Sequence, residues 1–169
     1  RILWIKENKP RIFNKVYKFL SPNDYLIGLL LDGETFTDPL NAEKFMYDEK
    51  KSRYLSEIYA KISIDTNLLP ECLEIGSNLG TLDPKVAKNL NLKNKPEVIL
   101  TTYDAITSIF GGGGIEDGTV NDQSGTISSI RMYSKKKYID NKSRVFCQHY
   151  KPTNGYFIGG SNNLGGGLI

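Results

Sequence analysis

The sequence predicts an α/β fold whose texture changes about two thirds of the way along the chain. Three observations carry that reading. Two cap-plus-proline signals, Ser21-Pro22 and Asp83-Pro84, mark helix starts in the first half. A continuous apolar run, PEVILTT at residues 96–102, has the composition of a strand covered on both faces. After four consecutive glycines at 111–114, the chain turns to alternating and β-branched segments with no helical period.

The elements follow in order. Ile2, Leu3 and Ile5, then Ile12, Val16, Phe19 and Leu20, recur at three- and four-residue spacing, which predicts a helix interrupted or kinked at Pro10. Ser21-Pro22 opens a second helix that Gly33 can end. The stretch TFTDPLNAEKFMYD, punctuated by Asp38-Pro39 and Asn41, reads as a turn and a short strand rather than a third helix. Residues 52–62 are helical again, with Tyr54, Leu55, Ile58, Tyr59 and Ile62 on one side, and DTNLLPECLEIG reads as a loop. Asp83-Pro84 then caps a short helix ending near Asn91. Residues 96–102 form the buried strand, and Asp104 stands where that strand gives way to an apolar helix through Phe110. In open α/β sheets this is where ligands bind. Beyond the glycines, strands are expected over 118–126, 127–133, 144–150 and 155–159, with Lys135, Lys136 and Lys137 at a solvated turn. Several strands without helices to cover them need a further layer.

Bulk properties narrow the function classes. With 169 residues, 39% hydrophobic and 24% charged, the chain suits a water-soluble globular protein of one domain or two partial ones. No apolar run approaches the roughly 20 residues of a membrane span, and no signal peptide is read, so no membrane partner is expected. A net charge of +3 with scattered basic residues argues against nucleic acid. Cys72 and Cys147, without CxxC spacing, read as reduced cysteines of a cytoplasmic protein. The opening RILWIKENKP and the closing GGGLI suggest a fragment of something longer.

Chemistry centres on two stretches. Asp104 can act as a general base or simply cap the helix it begins. Ser124-Gly125-Thr126 can cradle an anion, because glycine admits a close backbone approach and threonine adds a hydroxyl, or can be a plain hairpin turn. It is not a Walker A loop, since no GK[ST] follows, and Ser124 lacks the G-x-S-x-G setting of a serine hydrolase. His149, the single histidine, lies in an expected strand and reads as structural.

The order of these pieces resembles the FGGY family of carbohydrate kinases, of the xylulokinase and gluconokinase kind. LWIKENKPRIF, SPNDYLIGLL, TFTDPLNAEKFMYD, NLLPECLEIGSNLGTLDPKVAKNLNL, Asp104, GGGGIEDGTV, DQSGTIS and YFIGGSNNLGGGLI occur in the family's order across nearly the whole chain. The resemblance implies an actin-like ATPase (ribonuclease H-like) fold. Residues 1–113 would end the N-terminal, sugar-binding domain, and 114–169 would begin the C-terminal, nucleotide-binding domain. It implies ATP with Mg²⁺, a small sugar or polyol substrate, and Asp104 as the base that accepts the substrate hydroxyl's proton. Gly125 and Thr126, with Ser124, fall where the family contacts the nucleotide phosphates, and Gly165 and Gly166 match a second glycine element near the nucleotide. Assembly as a homodimer stays open. This chain departs from the pattern in having Thr-Tyr before Asp104 and Ala105 after it, where many members have Gly-Gly and then Gln or His. The family's Asp-x-Gly-Thr phosphate hairpin and adenosine pocket do not occur within these residues. A non-catalytic domain on an actin-like framework is therefore the alternative reading.

Overall fold

A computed structural model describes residues 1–163 and divides the chain into two compact units, Arg1–Thr102 and Tyr103–Ile169. The division falls one residue before the N-cap of the helix that carries Asp104.

The first unit opens with α1 (Ile2–Asn8) and α2 (Pro10–Phe13). The helix expected to run on to Leu20 stops at Phe13. Pro10 has no N–H to continue α1, and beyond Phe13 the chain turns, with Lys15 and Val16 N–H donating to the Ile12 and Phe13 carbonyls, before Phe19 N–H donates to the Leu68 carbonyl at 2.7 Å. The period survives as packing, because Phe13 and Phe19 meet with ring centroids 6.0 Å apart beside Tyr59, Ile64 and Leu69. α3 (Pro22–Leu30) begins as expected. Ser21 and Asp24 form a reciprocal capping box, and the helix closes through residues of positive φ at Asp32 and Gly33. Ile27 and Leu31 face a second apolar cluster with Leu100, Phe36, Leu73, Leu79 and Val98.

The segment after Gly33 corrects the sequence reading. β1 (Phe36–Thr37) is followed by a helical turn, α4 (Pro39–Ala42), rather than by a turn alone. Asp38-Pro39 is an N-cap with proline at the first helical position, and the same dipeptide also starts turns. After a 3₁₀ turn, β2 (Tyr47–Asp48) pairs antiparallel with β3 (Arg53–Tyr54), so Tyr54 belongs to a hairpin and α5 (Ser56–Lys61) starts later than its apolar spacing implied. The Tyr47 and Tyr54 rings sit edge-to-face at 5.2 Å, and the Tyr54 hydroxyl donates to the Pro70 carbonyl at 2.9 Å.

DTNLLPECLEIG is not only a loop: β4 (Glu71–Cys72) within it pairs parallel with β1. β5 (Asn78–Thr81) precedes α6 (Pro84–Asn89), which Asp83 caps by accepting from the Lys85 and Val86 amides, as expected. β6 (Glu97–Ile99) pairs antiparallel with β5. It is not covered on both faces: Ile99 is 49% exposed, whereas Leu100 and Thr102 just beyond it are buried.

In the second unit, α7 (Asp104–Gly111) leads into a four-stranded antiparallel sheet of order β7-β8-β10-β9: β7 (Val120–Ser124), β8 (Ser128–Ser134), β9 (Phe146–Tyr150) and β10 (Gly155–Asn162). All four strands lie where the alternation placed them. The sheet is not without a helix, because Phe110 of α7 packs on Tyr150 and Phe157 at centroid distances of 5.2 and 6.2 Å, and Phe157 is fully buried. The three lysines lie between β8 and β9 in a turn stapled by Arg144, whose guanidinium makes a two-pronged bond to Asp140 and holds that carboxyl down to about 2.

The four glycines are not equivalent. Gly113 has φ +75°, and a Cβ on buried Gly114 would fall inside the Asn121 side chain, whereas one on Gly111 would meet open space. Gly111→Ala should therefore leave Tm unchanged or raise it slightly. Gly114→Ala should cost about 1–3 kcal/mol through overpacking, and equal melting temperatures for the two variants would contradict this placement.

Candidate active site

Asp104 is the first residue of α7, with Tyr103 as N-cap, and its side chain is exposed. Among the described residues the carboxylate makes one hydrogen bond, accepting from the Ala105 amide at 2.8 Å. It is placed at a helix start where a negative charge is favoured, and it faces solvent rather than being spent on a partner. Ser108 lies one turn further along the same helix face.

The turn joining β7 to β8 carries Ser124, Gly125 and Thr126, all exposed. It closes tightly: Ser124 pairs with Ser128, and the Gly125 N–H donates to the Ile127 carbonyl at 3.1 Å. That amide is thus used inside the turn. The Ser124 hydroxyl donates to Asp122 at 3.0 Å, so hydroxyl and carboxylate oxygens stand together beside the turn. Gly125 adds no side chain, and a Cβ there would meet only the Ile127 carbonyl oxygen at 3.9 Å. Gly165 and Gly166 lie outside the described residues.

Asp104 and the Ser124-Gly125-Thr126 turn share no hydrogen bond among the described residues; their elements are joined instead through Gln123, which alternates to the strand face opposite Asp122 and Ser124. The Gln123 side-chain amide donates to the Ser108 hydroxyl, and the Arg131 guanidinium donates to the Gln123 carbonyl oxygen at 3.4 Å. The strand end that delivers Ser124 is thereby fastened to α7 one helical turn from Asp104. Ala105 follows Asp104 with an aliphatic side chain and offers no hydrogen bond to a ligand. His149 contacts Tyr156 and Asn154 within its own hairpin, in keeping with a structural role.

Sequence reasoning missed a buried polar network in the first unit. Asp38, 1% exposed, accepts from Leu40 N–H at 3.0 Å, Asn41 N–H at 3.3 Å, the Asn41 side-chain amide at 2.7 Å and the Thr102 hydroxyl at 2.8 Å. Asn23 on α3 donates to the Thr102 carbonyl at 3.0 Å. The Asp-Pro cap was the visible signal; its bond to a residue 64 positions away was not. Nearby, burial raises the Asp24 carboxyl above its ordinary range despite its bonds to the capping box.

Cys72 is half-buried, and burial pushes its thiol up to about 12. Since thiolate is the reactive form, alkylation at about pH 8 should be roughly a hundredfold slower than in the urea-unfolded chain. Equal rates in the two states would contradict a sheltered thiol. Among the described residues, no group of three or more His, Cys, Asp or Glu side chains gathers to hold a metal ion, and no helix is long and apolar enough to cross a membrane.

Within the second unit, α7 thus begins with an exposed carboxylate and the antiparallel sheet that follows it turns at Ser124-Gly125-Thr126. Comparisons with known proteins give the family. Residues 1–111 match the model of the FGGY family of carbohydrate kinases, N-terminal domain, and the chain belongs to that family. A xylulose kinase of Lactococcus lactis subsp. lactis (strain IL1403) is 29% identical over 161 residues, covering 94% of this chain and 32% of its own. A gluconokinase of Bacillus licheniformis is 25% identical over 166 residues, covering 98% and 32%. The ligand-bound crystal structure of a xylulose kinase from Lactobacillus acidophilus superposes with a TM-score of 0.84 at 24% identity, over 99% of this chain and 34% of that one, which shows the actin-like fold. The chain spans about a third of the length of these relatives.

Proposed function

We propose that this chain is the central part of an ATP-dependent sugar kinase, one that transfers the γ-phosphoryl group of ATP to a hydroxyl of a sugar, sugar acid or polyol. The carrying observation is the fastening of the Ser124-Gly125-Thr126 hairpin to α7 through Gln123 and Ser108, one turn from the exposed carboxylate of Asp104. Phosphoryl transfer asks little covalent chemistry of a protein. It needs an acceptor hydroxyl held in line and a group to take its proton as the bond forms.

Asp104, an exposed carboxylate at the start of α7, is assigned that task. In this reading residues 1–113 close the sugar-binding domain and 114–169 open the nucleotide-binding one. Gly125 permits close approach of the phosphates, and Thr126 and Ser124 supply hydroxyl donors beside them. Gly165 and Gly166 are assigned to the same nucleotide site by resemblance alone. Mg²⁺ takes oxygen ligands, and the Asp122 and Ser124 oxygens at the hairpin are of that kind. When bound with ATP it would neutralise phosphate charge. The relatives' printed names, xylulose kinase and gluconokinase, favour an enzyme acting on a small sugar or sugar acid, for which a cytoplasmic location is proposed.

The test is ATP consumption by the full-length protein against a panel of ketoses, aldonic acids and polyols. Acceptor-dependent ADP formation with at least one of them is expected. ADP formation independent of every acceptor would mean an ATPase and not a sugar kinase, and none at all would favour a non-catalytic actin-like domain.

A further inference from the structure

We propose that Tyr103 is a positioning residue for Asp104, and that it acts through Gln148 on β9 of the same unit. The consequence rests on the kinase reading, whereas the geometry lies wholly within Tyr103–Ile169. Tyr103 is the N-cap of α7 and makes no side-chain cap bond. Its hydroxyl instead crosses to the sheet and donates to the Gln148 side-chain oxygen at 2.8 Å. Gln148 stands opposite Phe157 in the β9–β10 ladder, so it shares the sheet face on which Phe157 and Tyr150 receive Phe110.

The helix is thereby held on one strand at both ends. Tyr103 and Phe110 are about two turns apart, so both fall on the face of α7 that also carries Ile106 and Ile109, 0% and 1% exposed. Their partners on β9, Gln148 and Tyr150, are alternate residues of one strand face. The ring contact of Phe110 fixes how closely the helix lies on the sheet but leaves it free to slide. A directional hydrogen bond at the other end sets its position along and about its own axis. Asp104 is the residue that follows this grip. Its carboxylate bonds only the next amide among the described residues, so the backbone at the start of α7 sets where it points. The family pattern does not supply the anchor: many members have glycine where this chain has Tyr103, and glycine has no hydroxyl to hold.

Three variants of the full-length protein test this: Tyr103→Phe, which removes the hydroxyl and keeps the ring, Gln148→Leu, which removes its acceptor, and Gln148→Glu, which keeps an acceptor oxygen. Tyr103→Phe and Gln148→Leu should each lower kcat by about 10- to 100-fold, the scale of a misplaced catalytic group, with KM for ATP nearly unchanged. The double variant should be no worse than either single one, because the two side chains form one contact. Gln148→Glu should retain most of the rate. In an Asp104→Ala background Tyr103→Phe should add nothing. A rate lost in Tyr103→Phe but kept in Gln148→Leu would mean that the hydroxyl serves a ligand rather than the helix, and would overturn the proposal. So would an equal loss with and without Asp104, or a loss that merely follows the loss of folded protein.

A second readout separates this from the kinase reading. The Ile106 and Thr107 N–H groups donate to the Tyr103 carbonyl at 3.1 and 3.2 Å, and their hydrogen exchange reports the first turn of α7 whether or not the protein phosphorylates anything. Exchange should quicken about tenfold in Tyr103→Phe and Gln148→Leu and stay near the wild-type rate in Gln148→Glu. Unchanged exchange in the first two would overturn the positional claim even in an active kinase. An inactive wild type with quickened exchange in those variants would fail the kinase reading while leaving the positional claim standing.

Discussion

Replacing Asp104 by asparagine in the full-length protein should lower kcat by about 10²–10⁴, the usual worth of a positioned general base, while leaving ATP affinity within about twofold of wild type. Asparagine keeps the size of the side chain and its acceptor oxygen for the Ala105 amide, so α7 should start where it does now. What it removes is the capacity to accept a proton from an attacking hydroxyl. The experiment pairs steady-state kinetics with nucleotide titration. A variant that turns over at the wild-type rate would leave Asp104 with its other role, a charge at a helix start, whose loss costs only about 0.3–1 kcal/mol.

The second large effect concerns stability. Asp38→Ala would leave the Leu40 and Asn41 amides, the Asn41 side chain and the Thr102 hydroxyl without their acceptor in a buried site. Losing a helix cap costs about 0.5–2 kcal/mol, and stranding buried donors adds about 1–3 kcal/mol for each that finds no substitute. A total of about 3–5 kcal/mol is expected, a large part of the 5–15 kcal/mol typical of a folded domain. Asp38→Asn, which keeps one acceptor oxygen, should lose clearly less. Urea denaturation reads both, and a change below about 1 kcal/mol for Asp38→Ala would mean that the network is dispensable.

What the sequence displayed and what it hid differ by the range of the interactions. Ser21-Pro22 and Asp83-Pro84 announced their helices because a cap is a local event, settled within four residues. The strands of the second unit were legible because five to eight residues of alternation suffice to show a period. The two-residue strands β1 to β4 carry no period at all, so β4 passed as loop and the β2–β3 hairpin took Tyr54 from an apparent helix. Asp38-Pro39 was ambiguous for a physical reason, since proline's fixed φ suits both a turn and the first residue of a helix.

The site divides in the same way. Asp104 was visible as a charge at the junction of an apolar run and a helix, and the Ser-Gly-Thr turn as a break between strands. The long-range bonds within each unit were not. Gln123 to Ser108 spans 15 residues and Asp38 to Thr102 spans 64, and neither spacing leaves a trace in one sequence. The family resemblance proposes roles for Asp104 and the Ser-Gly-Thr turn, while the structure shows the bonds around the hairpin.

Single-turnover transfer from ATP labelled in its terminal phosphoryl group tests the central claim most directly. Full-length protein, mixed with an acceptor found in the panel, should move the label to the sugar in step with ADP formation, and Asp104→Asn should bind the nucleotide yet transfer little label in the same time. Label released as inorganic phosphate with none on the sugar, or full transfer by Asp104→Asn, would contradict it.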